Sequence, residues 1–226
     1  MRRNENPELK RKLLDHLARI YKIKEVREPN HLSSYIGCRT RGFLDQKQAI
    51  EPTDQEVMLF ALGYGLQDVL TPSDSSEKLY NYEGVIYRPD MSFEVTQAEV
   101  DILFEMKTTR RSAKKHYIDE EIPITWLSYM MGGCRIVGTD RYDLAVLYMM
   151  GNYAPPFPSI YADTFYFENE EIEANWQIIQ ENKVVLDTAL ENGFPPKPYE
   201  HCYDWECKFC RYKLVCEVLV NRKETE

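Results

Sequence analysis

Asp90, Glu105 and Lys107 are the residues whose types and spacing best support bond-breaking chemistry in this chain. Asp90 closes the run EGVIYRPD, and Glu105 and Lys107 lie in VDILFEMKTT. Residues two apart on a strand share a face, so Glu105 and Lys107 point to one side. If the two runs pair as strands, Asp90 meets them there. Two carboxylates on one face can hold Mg²⁺ or Mn²⁺, ions that prefer oxygen ligands. Such an ion polarises a phosphodiester and lowers the pKa of a bound water. A lysine beside it can orient that water or stabilise developing negative charge. Thr108, Thr109, Arg110 and Arg111 follow at once, with groups suited to phosphate contacts. Taken alone, Glu-x-Lys on a strand is also an ordinary solvated pair, and Asp after Pro an ordinary turn. Asp101 is an alternative first carboxylate, but it shares a strand with Glu105 and sits far along it.

The cysteines form a second constellation. Cys207, Cys210 and Cys216 crowd the segment DWECKFCRYKLVC. Two cysteines separated by two residues can clasp one metal or cluster through a tight turn, and Cys216 adds a third thiolate. Cys38, in SSYIGCRTRGFL, is the best fourth ligand; Cys202 with His201 is a local alternative. Four thiolates fit a [4Fe–4S] cluster, a [2Fe–2S] cluster or Zn²⁺. Cys134, after Gly132 and Gly133, reads as a small packing residue.

These groups need a scaffold. Leu9, Leu13, Leu14, Leu17, Ile20 and Tyr21 recur at helical spacing, which predicts a helix over 8–24. A second helix is expected from 31 through 43 with Ser33 as its N-cap, and a third from about Asp54 to Leu70. The segment 71–76 is polar and turn-like. Beyond it the period changes. Runs at 80–87 and 100–106 have strand composition, with another short strand at 91–95 between them. A helix is expected over 122–131, ending at Gly132 and Gly133. A buried strand follows at 143–149 and an edge strand at 164–167. A long helix over 170–190 stops before Gly193, and prolines then lead into the cysteine-rich tail. The expected fold class is α/β, a core sheet flanked by helices. The expected organisation is one domain over 1–226: helices over 1–70, a core over 79–192 and the tail over 193–226.

Composition sets bounds. The 226 residues include 37 acidic and 28 basic side chains, a net charge of −9. A simple nucleic-acid coat is normally basic, so any polynucleotide groove here must be local. No run approaches the ~20 apolar residues that cross a bilayer. The start carries no export signal, so the six cysteines are expected as thiols or ligands in a reducing, cytoplasmic compartment.

Together these pieces resemble the RecB-like PD-(D/E)XK nucleases that carry an iron–sulfur cluster. Within them the chain looks most like the CRISPR-associated Fe–S exonucleases, the fourth Cas family, and related viral proteins. The family pattern is one early cysteine, nuclease motifs in the middle and three cysteines at the end. Here HLSSYIGCRTRGFL, FEMKTTRRS and WECKFCRYKLVC carry it, across roughly residues 30 to 217. The resemblance implies a restriction-endonuclease-like core in which Asp90 and Glu105 bind Mg²⁺ or Mn²⁺ and Lys107 assists catalysis. Cys38, Cys207, Cys210 and Cys216 would hold a structural cluster, [4Fe–4S] ahead of [2Fe–2S], joining the tail to the N-terminal helices. The implied activity is cleavage of DNA, on single strands or single-stranded ends, by an exonuclease rather than an endonuclease. The implied setting is trimming of CRISPR spacer precursors or viral DNA processing, with a CRISPR-adaptation or recombination protein as partner.

Two positions depart from the family. Its Gly-x3-His becomes Gly63-Tyr64-Gly65-Leu66-Gln67, so Gln67 stands where a metal-binding histidine is usual and is expected as a weak auxiliary ligand of the Mg²⁺ or Mn²⁺ through its carbonyl oxygen. Its Gln-x3-Tyr becomes Thr125 through Tyr129, which keeps the tyrosine as a substrate contact beside Arg110 and Arg111. These departures and the acidic charge motivate a second hypothesis. In it the chain is a weak or inactive Fe–S or zinc DNA-binding subunit of a larger complex.

Overall fold

The computed structural model describes residues 7–24, 30–70, 78–93, 102–114, 122–153, 158–197, 204–208 and 210–223. The helices are α1 (Pro7–Lys24), α2 (Arg39–Lys47), α3 (Asp54–Leu70), α4 (Ile124–Val137), α5 (Asn169–Asn192), α6 (Asp204–Lys208) and α7 (Lys213–Lys223). The strands are β1 (Tyr80–Tyr82), β2 (Val85–Tyr87), β3 (Met91–Phe93), β4 (Ile102–Thr109), β5 (Arg141–Tyr148) and β6 (Ser159–Tyr166). The chain divides into two compact units, Met1–Glu28 with Glu51–Pro72, and Pro29–Ile50 with Ser73–Glu226.

The smaller unit pairs α1 with α3. Each helix buries an apolar residue, Leu14 on α1 and Val57 on α3. A reciprocal cap starts α3. Glu56 N donates to Thr53 Oγ1 at 3.2 Å, and Thr53 N donates to Glu56 Oε2 at 2.8 Å.

The larger unit is built on a four-stranded sheet in the order β3-β4-β5-β6. β3 runs antiparallel to β4, β4 parallel to β5, and β5 antiparallel to β6. A parallel neighbour requires a crossover, and α4 is in the connection between β4 and β5. β5 is buried along most of its length, while β6 alternates half-buried and exposed positions as a sheet edge does. α5 packs on α4 and α2. Asn175 clamps the α4 contact: its Nδ2 donates to Ser128 O at 3.0 Å and its Oδ1 accepts from Ser128 Oγ at 2.7 Å. The mixed α/β arrangement agrees with the expected fold class.

The structure corrects several expectations. The second helix is two elements: a 3-10 turn over Leu32–Tyr35 and then α2. The cap of that turn is His31, whose Nδ1 accepts from Ser33 N at 3.3 Å, rather than Ser33. The run at 80–87 is a hairpin, because Glu83 and Gly84 hold φ of 48° and 75°, the paired positive values of a two-residue turn. The expected 122–131 helix continues through Gly132 and Gly133 and ends at Gly138, a left-handed cap with φ 81°. The edge strand starts earlier than expected, at Ser159, because it pairs with β5 along its whole length.

The glycine pair is there for close packing. A Cβ on Gly133 would lie 2.7 Å from the Tyr87 ring and 3.1 Å from Tyr142. On propensity alone, Gly→Ala inside a helix stabilises by about 1 kcal/mol. Overpacking against two buried rings costs about 1–3 kcal/mol, so crowding wins. Gly133→Ala is therefore expected to lower the thermal midpoint, and a raised midpoint would contradict this packing.

Candidate functional site

β3 and β4 bring the first constellation together. Their register pairs Met91 with Phe104, and Asp90 precedes that pair on the chain. The Asp90 carboxylate reaches across the end of the ladder, its Oδ2 accepting from Met106 N at 2.7 Å. This side-chain bond takes the place of a backbone partner and fixes Asp90 beside Glu105 and Lys107 on β4. Glu105 Oε1 accepts from Lys107 Nζ, as the strand parity predicts. Glu105 is only 5% exposed, although its side chain is ionisable.

Burial, and then the negative charge of Asp90, push the Glu105 carboxyl up to about 7, with Lys107 pulling the other way. A folded-state value above the 4.5 of a free side chain has a defined sign for stability. The buried neutral carboxyl is tolerated at low pH, and stability falls as pH rises through about 7 and the buried group ionises. In protein kept free of divalent ions, Glu105→Gln is expected to change the thermal midpoint little near pH ~5 and to raise it near pH ~8. A midpoint difference that does not vary with pH would contradict this.

The other expected substrate residues surround this point unequally. Tyr129, on α4, stands 5.3 Å (ring centroid) from Lys107 Nζ, packs edge-on against Tyr87 and donates from its hydroxyl to Arg88 O at 3.2 Å. Arg110 and Arg111 are exposed just past the end of β4. Their loop is tied to the segment after β5: Tyr153 OH donates to Arg110 O at 2.6 Å, and Ala113 N donates to Gly151 O at 2.7 Å. Gln67 lies on α3, in the smaller unit, and its side chain is outside the described residues, as is Asp101. Thr125 lies in the first turn of α4.

Two residues that the sequence reading missed complete the inner wall. Tyr142 OH donates to Glu105 Oε2 at 3.4 Å, and Tyr87 OH and Tyr142 OH are 2.6 Å apart. Both tyrosines are fully buried. The signal in the sequence was a glycine pair in a helix beside tyrosine-rich strands, which marks a close approach rather than a stop.

The cysteines meet at a separate pocket of the same unit. Cys38, Cys207, Cys210 and Cys216 line it together with Arg41, Glu206 and Lys213. None of the four forms a disulfide. Cys38 is the N-cap of α2 and its side chain makes no capping bond. Burial first, and then the charges of Cys38, Cys210 and Cys207, push the Cys216 thiol up to about 11. Four thiols lining one pocket are a donor set that fits a thiolate-bound metal group, which deprotonates its ligands on binding. Among the described residues, no three His, Cys, Asp or Glu side chains are gathered so as to hold a metal ion as they stand. The local alternative, His201 with Cys202, is outside the described residues. Cys134 is buried in the main core, as expected of a packing residue.

The tail is also held without the thiols. Tyr212 OH donates to Asp45 Oδ1 at 2.7 Å, Arg211 donates to Ile50 O at 3.2 Å, and Thr40 Oγ1 donates to Pro196 O at 3.1 Å.

No protein-family model matches the sequence, and no curated protein does. Among solved structures, the chain is similar to that titled crystal structure of SSO0001, with a TM-score of 0.53 and 16% identity over 92% of this chain and 96% of that one. The chain shares that fold. Looser likenesses are to an alkaline exonuclease (LHK-Exo) of Laribacter hongkongensis and a phage-related exonuclease of Haemophilus somnus 129PT. The first has a TM-score of 0.46 and 12% identity over 72% of this chain and 89% of that one. The second has a TM-score of 0.41 and 12% identity over 80% and 82%. Among the described residues, no helix is long and apolar enough to cross a membrane.

Proposed function

We propose that this chain is a Mg²⁺- or Mn²⁺-dependent DNA nuclease of the RecB-like PD-(D/E)XK kind, acting as an exonuclease on single strands or single-stranded ends. The observation that carries the reading is the meeting of Asp90 with Glu105 and Lys107 across paired strands, fixed by the 2.7 Å bond from Met106 N to Asp90 Oδ2. Asp90 and Glu105 supply two hard oxygen donors of the kind Mg²⁺ and Mn²⁺ take, with water completing their shells. When bound, the ion polarises the phosphodiester and lowers the pKa of the attacking water.

The chain's own residues do the remaining work. Lys107 orients the water and offsets negative charge on the phosphoryl oxygens. Burial of Glu105 raises the strength of every charge interaction around it. Tyr129 flanks Lys107 and offers an aromatic contact to the substrate, and Arg110 and Arg111 neutralise phosphates beyond the strand end. At the second pocket, Cys38, Cys207, Cys210 and Cys216 hold an iron–sulfur cluster, [4Fe–4S] in the favoured form. It supplies cross-linking between α2 and the tail and takes no part in turnover. The setting that the family resemblance implies is trimming of CRISPR spacer precursors or viral DNA ends in a reducing compartment, alongside an adaptation or recombination protein.

The mode of cleavage is tested by offering linear and circular single-stranded DNA with Mn²⁺. An exonuclease shortens the linear strand and leaves the circle intact. A linearised circle overturns the exonuclease assignment while keeping the nuclease.

A further inference from the structure

The inner wall of the site holds a chain of hydroxyls that the catalytic reading does not use. Tyr142 OH reaches Glu105 Oε2 at 3.4 Å, and Tyr87 OH lies 2.6 Å from Tyr142 OH. The proton order follows from the donor inventory. A carboxylate only accepts, and Tyr142 has one hydroxyl proton. With Glu105 ionised, as a metal ligand must be, Tyr142 donates to it and Tyr87 donates to Tyr142. Both phenols are fully buried. The two oxygens of Glu105 thus have different partners: Oε2 faces the tyrosines, and Oε1 meets Lys107.

Three separate elements converge on this arrangement. Tyr87 comes from β2, Tyr142 from β5, and α4 contributes Gly133, the residue without a side chain where both rings pass. Any Cβ there would press on Tyr87 first, at 2.7 Å. The 3.4 Å contact is long for an O–H···O bond, and such bonds tighten when a site fills.

We propose that Tyr142, held in turn by Tyr87, is a positioning residue that restrains the Glu105 carboxylate through Oε2 and so fixes its orientation toward the divalent ion. This deepens the nuclease reading and rests on Asp90 and Glu105 being the ion's ligands. Outer partners of metal ligands typically govern affinity by about 10- to 100-fold, because they orient the ligand and set its basicity. The two tyrosines act in series, so their effects are coupled rather than additive.

The test is Mn²⁺ binding without DNA, followed by electron paramagnetic resonance, in wild type, Tyr142→Phe, Tyr87→Phe and the double variant. Cleavage is measured in parallel as a function of Mn²⁺ and of oligonucleotide. Tyr142→Phe is expected to weaken Mn²⁺ binding about tenfold and to raise the Mn²⁺ needed for half-maximal cleavage equally, with oligonucleotide KM unchanged. Tyr87→Phe is expected to weaken binding less, and to add nothing in the Tyr142→Phe background. If Tyr142→Phe fails to fold, Tyr87→Phe alone decides, since it removes the outer link and leaves Tyr142 in place. Wild type that binds Mn²⁺ no better than the variants overturns this inference alone. Wild type that neither binds Mn²⁺ nor cleaves overturns the nuclease reading and this inference with it.

Discussion

Protein carrying Glu105→Ala is expected to lose Mn²⁺-dependent DNA cleavage by at least about 10³-fold while keeping its fold. The size follows from what one side chain does here. Glu105 is a buried carboxyl with Lys107 on one oxygen and Tyr142 reaching the other, which partly offset the cost of its charge. Removing it takes away one of two carboxylates at the site and also the group that holds Lys107 in place. Groups that act as one unit are strongly non-additive when removed. Asp90→Ala is therefore expected to cost about as much alone, and the double variant little more than either. Kinetics that fell in equal independent steps would contradict a shared ion.

The second large effect concerns the cysteine pocket. Cys38→Ser is expected to strip most of the iron and the absorbance near ~400 nm from protein prepared without oxygen. The substitution is unusually clean. Cys38 is the N-cap of α2 and its thiol makes no capping bond. Serine is a favoured N-cap, so the helix itself gains by the change. Any loss of stability then comes from the missing ligand. A cluster tying α2 to the tail would contribute several kcal/mol, so its loss is expected to lower the thermal midpoint by roughly 10 °C for a chain of this size. Complete unfolding is not expected, because Tyr212 on Asp45 and Thr40 on Pro196 still hold the tail. Cys134→Ser, in the main core, should leave iron content unchanged. Full iron retention by Cys38→Ser would contradict the four-thiolate assignment, and a colourless wild type carrying zinc would replace iron by zinc in the same pocket.

Much of this organisation was legible because it rests on local rules. Helical spacing found α1, the flanking Pro52, Thr53 and Pro72 bounded α3, and the acidic first turn and terminal glycine found α5 and its cap. Strand parity alone puts Glu105 and Lys107 on one face, and the pairing of β3 with β4 brings Asp90 to them. The spacing of Cys207, Cys210 and Cys216 marked a pocket that Cys38 joins from far away in the chain.

What escaped was set by distant packing. The run at 80–87 looked like one strand because alternation says nothing of a turn; Glu83 in a left-handed conformation is what folds it back. Gly132 and Gly133 looked like a helix stop because glycine usually ends helices. Their meaning depends on Leu32, Tyr87 and Tyr142, residues brought in from other elements. Tyr142 was unreadable as a partner of Glu105 for the same reason, since 37 residues separate them along the chain. The 3-10 turn before α2 escaped because His31, an uncommon cap, fills the role that Ser33 was expected to fill.

Whether Asp90, Glu105 and Lys107 form a metal-dependent nuclease site is tested most directly by degradation of end-labelled single-stranded DNA. Cluster-loaded wild-type protein is used, and Mn²⁺ is titrated from zero. A ladder of shortened products that grows with Mn²⁺ and vanishes on chelation is the expected result. No cleavage of single- or double-stranded DNA at any Mn²⁺ or Mg²⁺ concentration would contradict the account.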